Sequence, residues 1–313
     1  MAVLNLDQRD RVLTVRIDNP PRNFLDERLI AALDDLTLGL RRDRSVGAVV
    51  LESALPGVWV QHADVERIVA ASRRTGRALS VRQAAAAGRA LDAVLRLPAG
   101  ASLVRRTRLG DAVDVLRLDN AFARMNRSDK VFIAAIDGVV MGGGLMLALA
   151  CDVRLLSDTD HWIGLPEILL GYVPGVGTAQ RLARAVGPHR ALRMLVAGDL
   201  VDADQALKLG LVDEVVHPAE LSRRAHDLAH RLAARPAAMV ESAKRSIYEA
   251  ERWPLRRANR YERAGLLSGA STARSREVQA LYLRLGGGAP ETNEQVARAF
   301  EAIADGDEVR MNP

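Results

Sequence analysis

Residues 141–152 read MGGGLMLALACD: three consecutive glycines, then an apolar run that meets its first charged side chain at Asp152. An apolar run of this kind suits a buried helix, yet each glycine weakens a helix by roughly 1 kcal/mol relative to alanine. The glycines must therefore serve the backbone. Where a strand ends and a helix begins, glycine lets N–H groups approach a ligand with no Cβ in the way. The helix start adds N–H groups without intrahelical partners and a positive partial charge. Such a place suits a phosphate or the oxygen of a polarised carbonyl. Two nucleotide motifs are ruled out, because GGG is not G-x-G-x-x-G with its later acidic residue and no Gly-Lys-Ser/Thr occurs. Taken alone, the triplet is equally explained by close helix packing.

Outward from the glycines the pattern is that of an α/β protein. KVFIAAIDG (130–138) reads as a strand leading into them, and CDVRLLSD (151–158) as the strand after the helix. Upstream, RVLTVRID (11–18) and GAVVLES (47–53) read as strands on either side of the helical LDERLIAALDDLTLGLRRD (25–43). This alternation implies crossover units and a largely parallel sheet. From about residue 178 the pattern turns helical: TAQRLARAVG and PHRALRMLVAG end on glycine, and DADQALKLG opens on an acidic cap. VDEVVHP is a short strand, and GGGAPETN (286–293) reads as irregular.

Composition narrows the function classes. The chain of 313 residues is 49% hydrophobic and 27% charged, enough for a large core in an ordinary globular protein. Aromatics at 4% argue against base-stacking platforms, so no nucleic-acid partner is expected. The net charge of +5 allows an anionic ligand, and a solvated basic surface gives the same number. With Cys151 as the single cysteine, neither a disulfide framework nor a cysteine-based metal site forms within one chain, and no metal is expected. The opening MAVLNLDQRDRVLTVRID lacks a leader pattern, and no stretch approaches the roughly 18 apolar residues of a membrane span. These features predict a cytoplasmic protein.

Residues 66–127 stand apart, with thirteen arginines against one Glu and four Asp. They read as helical stretches broken at PAGAS (98–102). Two explanations stay open: an amphipathic insertion with a solvated basic face, or a lid over an anionic ligand.

The run from Val131 to Val216 resembles the crotonase, or enoyl-CoA hydratase/isomerase, family. The matching motifs are AAIDGVVMGGG, LALACD, PEILLG, PGVGTAQRL and ALKLGLV. Upstream, NPPRNFLDERLI and VWVQHADVERI match two further family motifs in order. The resemblance covers residues 1–65 and 128 to about 250, and more loosely the C-terminal helices. It implies a spiral of ββα turns forming a core over 1–235, with 66–127 inserted, and a helical region over 236–313 that builds trimers or dimers of trimers. It also implies a coenzyme A thioester as ligand, with no cofactor beyond the CoA that the substrate carries. The thioester oxygen would sit between the backbone N–H groups of Ala63 and Gly143, and Arg22 matches a position near the CoA nucleotide.

The resemblance also shows what is missing. Hydration in the family uses two glutamates. One of these positions is Met146, three residues after the middle glycine, and the other is Glu167, retained in PEILLG. A third acidic position, used by dienoyl isomerases and aryl-CoA dehalogenases, is Gly175. His62 stands where the family usually has glycine, as pocket acid or base, filler or surface residue. One carboxylate suits an isomerase, in which Glu167 carries a proton from C2 to C4; a glutamate just after Pro166 also suits a helix start. The alternatives are an acyl-CoA-binding protein without turnover and a specialised member such as a hydrolase or decarboxylase.

Overall fold

The computed structural model describes residues 3–75, 80–95, 97, 100–105, 107, 110–160, 162–250, 253–285 and 292–305. A hairpin of β1 (Leu4–Arg9) and β2 (Val12–Ile17) leads through α1 (Glu27–Leu40) to β3 (Ala48–Ser53) and β4 (Val58–Val60). Four helices follow: α2 (Val65–Thr75), α3 (Val81–Leu95), α4 (Gly100–Arg105) and α5 (Ala112–Arg127). Next come β5 (Val131–Ile136), β6 (Val139–Met141), α6 (Gly143–Ala150), β7 (Val153–Ser157) and β8 (Ile163–Gly164). A 3-10 turn at Pro166–Leu170 precedes α7 (Thr178–Val186), α8 (Pro188–Ala197), β9 (Leu200–Val201), α9 (Ala203–Leu209) and β10 (Glu214–Val216). The chain ends in helices α10 (Pro218–Ala233), α11 (Ala237–Tyr248), α12 (Leu255–Ala270), α13 (Ala273–Arg284) and α14 (Asn293–Asp305).

The strands alternate between two sheets, in the orders β1-β2-β3-β5-β7-β10 and β4-β6-β8-β9. From β3 to β8 each turn of the spiral places one strand in the larger sheet and the next in the smaller, whereas β1 and β2 both lie in the larger. The pairs β2–β3, β3–β5 and β5–β7 are parallel, as are β4–β6 and β6–β8 across the layer. The main core fills the space between the sheets and α1, α5, α6 and α7. A second cluster lies under α10, where Leu221, Ala225, Ala229 and Ala233 recur every fourth residue. That stripe of small side chains lets the helix come close to β3 and β5.

α6 is apolar all round, and seven of its eight residues are buried. It ends at Cys151, which is 1% exposed. Asp152 then pins the helix to its surroundings. Its Oδ2 accepts from Phe132 N at 2.8 Å and Lys244 Nζ at 2.6 Å, and its Oδ1 from the Tyr248 hydroxyl at 2.9 Å. The first charge after the glycines is thus a tie between β5, β7 and α11.

The arginine-rich segment divides in the structure. α3 ends at Leu95 and α4 begins at Gly100, so the helices are separate where the break was expected; Gly100, Ala101 and Ser102 open α4, while Pro98 and Ala99 lie outside the described residues. α5 is part of the main core, burying Leu118, Phe122 and Met125 against α1. Its arginines occupy the other faces: Arg124 bonds Asp34 and Thr37, and Arg127 pairs with Glu249. The irregular stretch expected at 286–293 falls outside the described residues up to Glu291, and Asn293 begins α14.

Candidate active site

Each of the three glycines has its own physical reason. Gly142 has φ +48, and a Cβ there would stand 3.0 Å from Glu167 Oε1 and 3.7 Å from His62 Cβ. A Cβ on Gly143 would lie 2.8 Å from Ala63 N and 3.2 Å from Leu25 Cδ2. On Gly144 it would fall 1.8 Å from Val60 O, inside any van der Waals limit. The triplet therefore lets the head of α6 press against the loop after β4, with Glu167 alongside.

That loop is fixed from two sides. Leu25 N donates to His62 O at 2.9 Å and Met141 N donates to Gln61 O at 2.7 Å. Ala63 is thereby held beside Gly143. The Gly143 N–H opens α6 and has no intrahelical acceptor. Among the described residues the Ala63 N–H likewise meets no acceptor. Two unpaired backbone donors thus stand together at the positive end of a helix.

Glu167 lies in the 3-10 turn after β8 and is 5% exposed. Neither of its carboxylate oxygens has a hydrogen-bond partner in the protein. Burial pushes its pKa above the ordinary glutamate value, and the dipole of its own backbone N–H, without hydrogen-bond geometry, offsets part of that rise. A buried carboxylate without partners is costly to a fold and is a signature of a reactive group.

Ala63 and Met146 line a mostly apolar cavity of about 550 Å³ that also includes Leu25, Tyr172 and Gly175. A Cβ on Gly175 would meet nothing within 4 Å, so the third acidic position of the family motif is open space here. The Tyr172 phenol is held above its usual pKa by burial and by the charge of Glu167, which places it in the same electrostatic environment. Among the described residues no cluster of His, Cys, Asp or Glu is arranged to hold a metal ion.

Comparison with known proteins identifies the family. The family model for enoyl-CoA hydratase/isomerase matches residues 99–283. The chain belongs to the enoyl-CoA hydratase/isomerase family. A short-chain-enoyl-CoA hydratase of Clostridium acetobutylicum is 28% identical over 77% of this chain and 79% of its own. The enoyl-CoA isomerase/hydratase fer4 of Mycosarcoma maydis is 36% identical over 48% of this chain and 56% of its own. The crystal structure of a Geobacillus kaustophilus enoyl-CoA hydratase superposes with a TM-score of 0.73 at 26% identity, covering 91% of this chain and 94% of that one. A putative enoyl-CoA hydratase from Thermobifida fusca, solved in complex with CoA, gives 0.65 at 28% identity, over 85% of this chain and 92% of its own. The spiral of ββα turns is accordingly the crotonase fold.

Within that family fold, the residues named from sequence occupy different places. Ala63 and Met146 line the cavity; Gly143 packs against Ala63 and Glu167 lies against Gly142, and neither of those two is among the lining residues. His62 is absent from the residues lining the cavity; its ring lies 4.8 Å from that of Phe24, with Nδ1 2.6 Å from Ala63 O. Arg22 is exposed on the loop that pairs with residue 61, its carbonyl accepting from Gln61 N at 3.4 Å. Asp111 and Asp114, two acids of the arginine-rich segment, border the cavity, whereas Asp119 does not. Sequence reasoning missed Tyr172 and Arg67. Tyr172 follows Glu167 by five residues, within PEILLGY, and that proximity was the available signal. No helix of the described residues is long and apolar enough to cross a membrane.

Proposed function

We propose that this member of the enoyl-CoA hydratase/isomerase family is an isomerase-type enzyme that uses Glu167 as its single acid–base residue. The substrate is a 3-enoyl-CoA, its thioester oxygen accepting hydrogen bonds from the N–H groups of Ala63 and Gly143. The glutamate carboxylate removes a proton from C2, and the electron pair moves into a dienolate whose negative charge rests on the thioester oxygen. Backbone donors fixed in advance stabilise that oxygen most when the charge is fullest. The same carboxyl group then returns the proton to C4, and the double bond ends between C2 and C3. A base that has lost its hydration by burial is matched to taking a weakly acidic carbon-bound proton.

The observation that carries this reading is the pairing of a buried, unpartnered Glu167 with Met146. A thioether cannot transfer a proton, so the two positions that carry the glutamates of hydration in the family hold one carboxylate here. Assembly enters the proposal as a trimer or a dimer of trimers in the cytoplasm. α12 has no buried residue in the single chain and exposes Leu255, Leu266 and Leu267, which favours a partner surface for the C-terminal helices.

The deciding experiment incubates the protein with a 3-enoyl-CoA in deuterium oxide. Formation of the 2-enoyl product, with label at exchangeable carbons, supports the proposal. An acyl-CoA that binds without exchange or conversion identifies a binding protein, and robust hydration of crotonyl-CoA identifies a hydratase.

A further inference from the structure

The apolar cavity beside Ala63 and Met146 is not the only one at this end of the molecule. A second, polar cavity of about 860 Å³ adjoins it, reaching Arg28, Arg105 and Thr107. The two share five residues: Asp26, Glu27, Asp64, Arg67 and Asp111. These five form the partition between the two spaces, and Arg67 is its one cation.

Arg67 holds the partition together. Its Nη1 lies 3.0 Å from Glu27 Oε2, just inside α1. Its Nη2 reaches Asp111 Oδ1 at 3.2 Å and Asp114 Oδ2 at 2.6 Å, at the start of α5. Asp114, 4% exposed, has its other oxygen 2.7 Å from Arg105 Nη2 on α4. One planar guanidinium therefore joins α2 to α1 and α5 by the multidentate geometry that lysine cannot reproduce. Apart from this cluster the lining of the first cavity is largely apolar, with Ile30, Ile68, Val115 and Leu118. A hydrocarbon tail gains affinity while it covers such side chains and gains none once it meets paired charges.

We infer that Arg67 is a specificity-determining residue: the ion cluster it organises closes the acyl pocket on the side of the second cavity, sets the longest alkyl chain accepted and excludes chains ending in a carboxylate. The exclusion follows from charge, since four carboxylates share the partition with one guanidinium. This rests on the reading that the acyl group of a CoA thioester occupies the cavity beside Ala63.

The test measures dissociation constants by calorimetry for saturated acyl-CoAs from butanoyl to hexadecanoyl, and for a medium-length acyl-CoA ending in a carboxylate. Wild type, Arg67→Met and Arg67→Met/Asp111→Asn are compared. The double variant removes charge of both signs, and Asp111 makes no side-chain cap for α5, so it keeps the test open if lone carboxylates unfold the single variant. In wild type, affinity rises about fourfold per methylene and then stops at a break point. In the variants the break moves to longer chains, and the long-chain to butanoyl affinity ratio grows about sixteenfold for every two methylenes admitted. The carboxylate-ended thioester binds wild type more weakly than its alkyl match. The same break point in wild type and in either folded variant overturns the inference, as does a wild-type series that rises without a break. Failure of wild type to bind even butanoyl-CoA overturns the acyl-CoA reading itself, and the partition's role with it.

Discussion

Replacing Glu167 by glutamine tests the site most directly, because it changes two quantities in opposite directions. The side chain keeps its shape and loses its charge and basicity. A positioned general base is worth about 10²–10⁴ in rate, so 3-enoyl-CoA isomerisation falls by that factor, or about 3–5 kcal/mol of barrier. Binding changes little, because the groups that hold the thioester oxygen are backbone. Stability moves the other way. The wild-type carboxylate is buried with no hydrogen-bond partner, and its pKa is raised by that burial. A raised carboxylate pKa means that folding favours the protonated form. The group's contribution to stability is therefore fully present below the unfolded pKa and is lost as pH rises through the folded one. At neutral pH the glutamine variant avoids the burial of charge and gains on the order of 1 kcal/mol, or about 2 °C in melting temperature for a chain of this size. At a pH below the unfolded glutamate value the two proteins converge. Kinetics with 3-enoyl-CoA and thermal denaturation across pH measure both effects. The wild-type rate rises with pH through the raised Glu167 pKa and then levels, whereas the residual rate of the variant is flat. Intact turnover, or a lower melting temperature at neutral pH, refutes the reasoning.

Three further outcomes follow from the same geometry. Met146→Glu restores the second acidic position at the cavity wall, and crotonyl-CoA hydration, near background in wild type, rises about tenfold or more in a spectrophotometric assay. Gly143→Ala sets a Cβ 2.8 Å from Ala63 N and drives the two donors apart, so turnover falls about 10²–10³ while circular dichroism shows the fold retained. Asp152→Ala strips the buried Lys244 ammonium of its carboxylate and the Tyr248 hydroxyl of its acceptor, and denaturant titration shows a loss of about 3–5 kcal/mol.

Much of this site was legible in the sequence because its constraints are local. Three glycines at a strand-to-helix junction, and a glutamate just after Pro166, are short-range statements about backbone approach and turn geometry. What stayed hidden depends on packing between distant segments. Nothing in the stretch around Arg67 says that it will face Asp111 and Asp114, more than forty residues away, since that contact exists only once α2 and α5 are packed. The density of arginine in α5 masked its role in the same way. Val113, Leu118, Phe122 and Met125 define a buried face, but Arg117, Arg124 and Arg127 beside them left open only a solvated insertion or a lid. Asp152 was read as the end of a motif, whereas its partners lie on β5 and α11. His62 shows the opposite limit. Its departure from the family motif invited a role in the pocket, and the structure places its ring against Phe24.

The position of Cys151 gives the protein an intrinsic probe. It is the single thiol of the chain, it caps the C-terminal end of the helix whose other end begins at Gly143, and burial raises its pKa well above that of a free thiol. An alkylating reagent reaches only thiolate, so modification must wait for this part of the fold to open. The labelling rate in the native state thus reports, without any mutation or attached dye, how often the α6 segment comes loose. A thioester held at the Gly143 end should slow that rate in proportion to its occupancy, turning a residue with no part in the chemistry into a gauge of it.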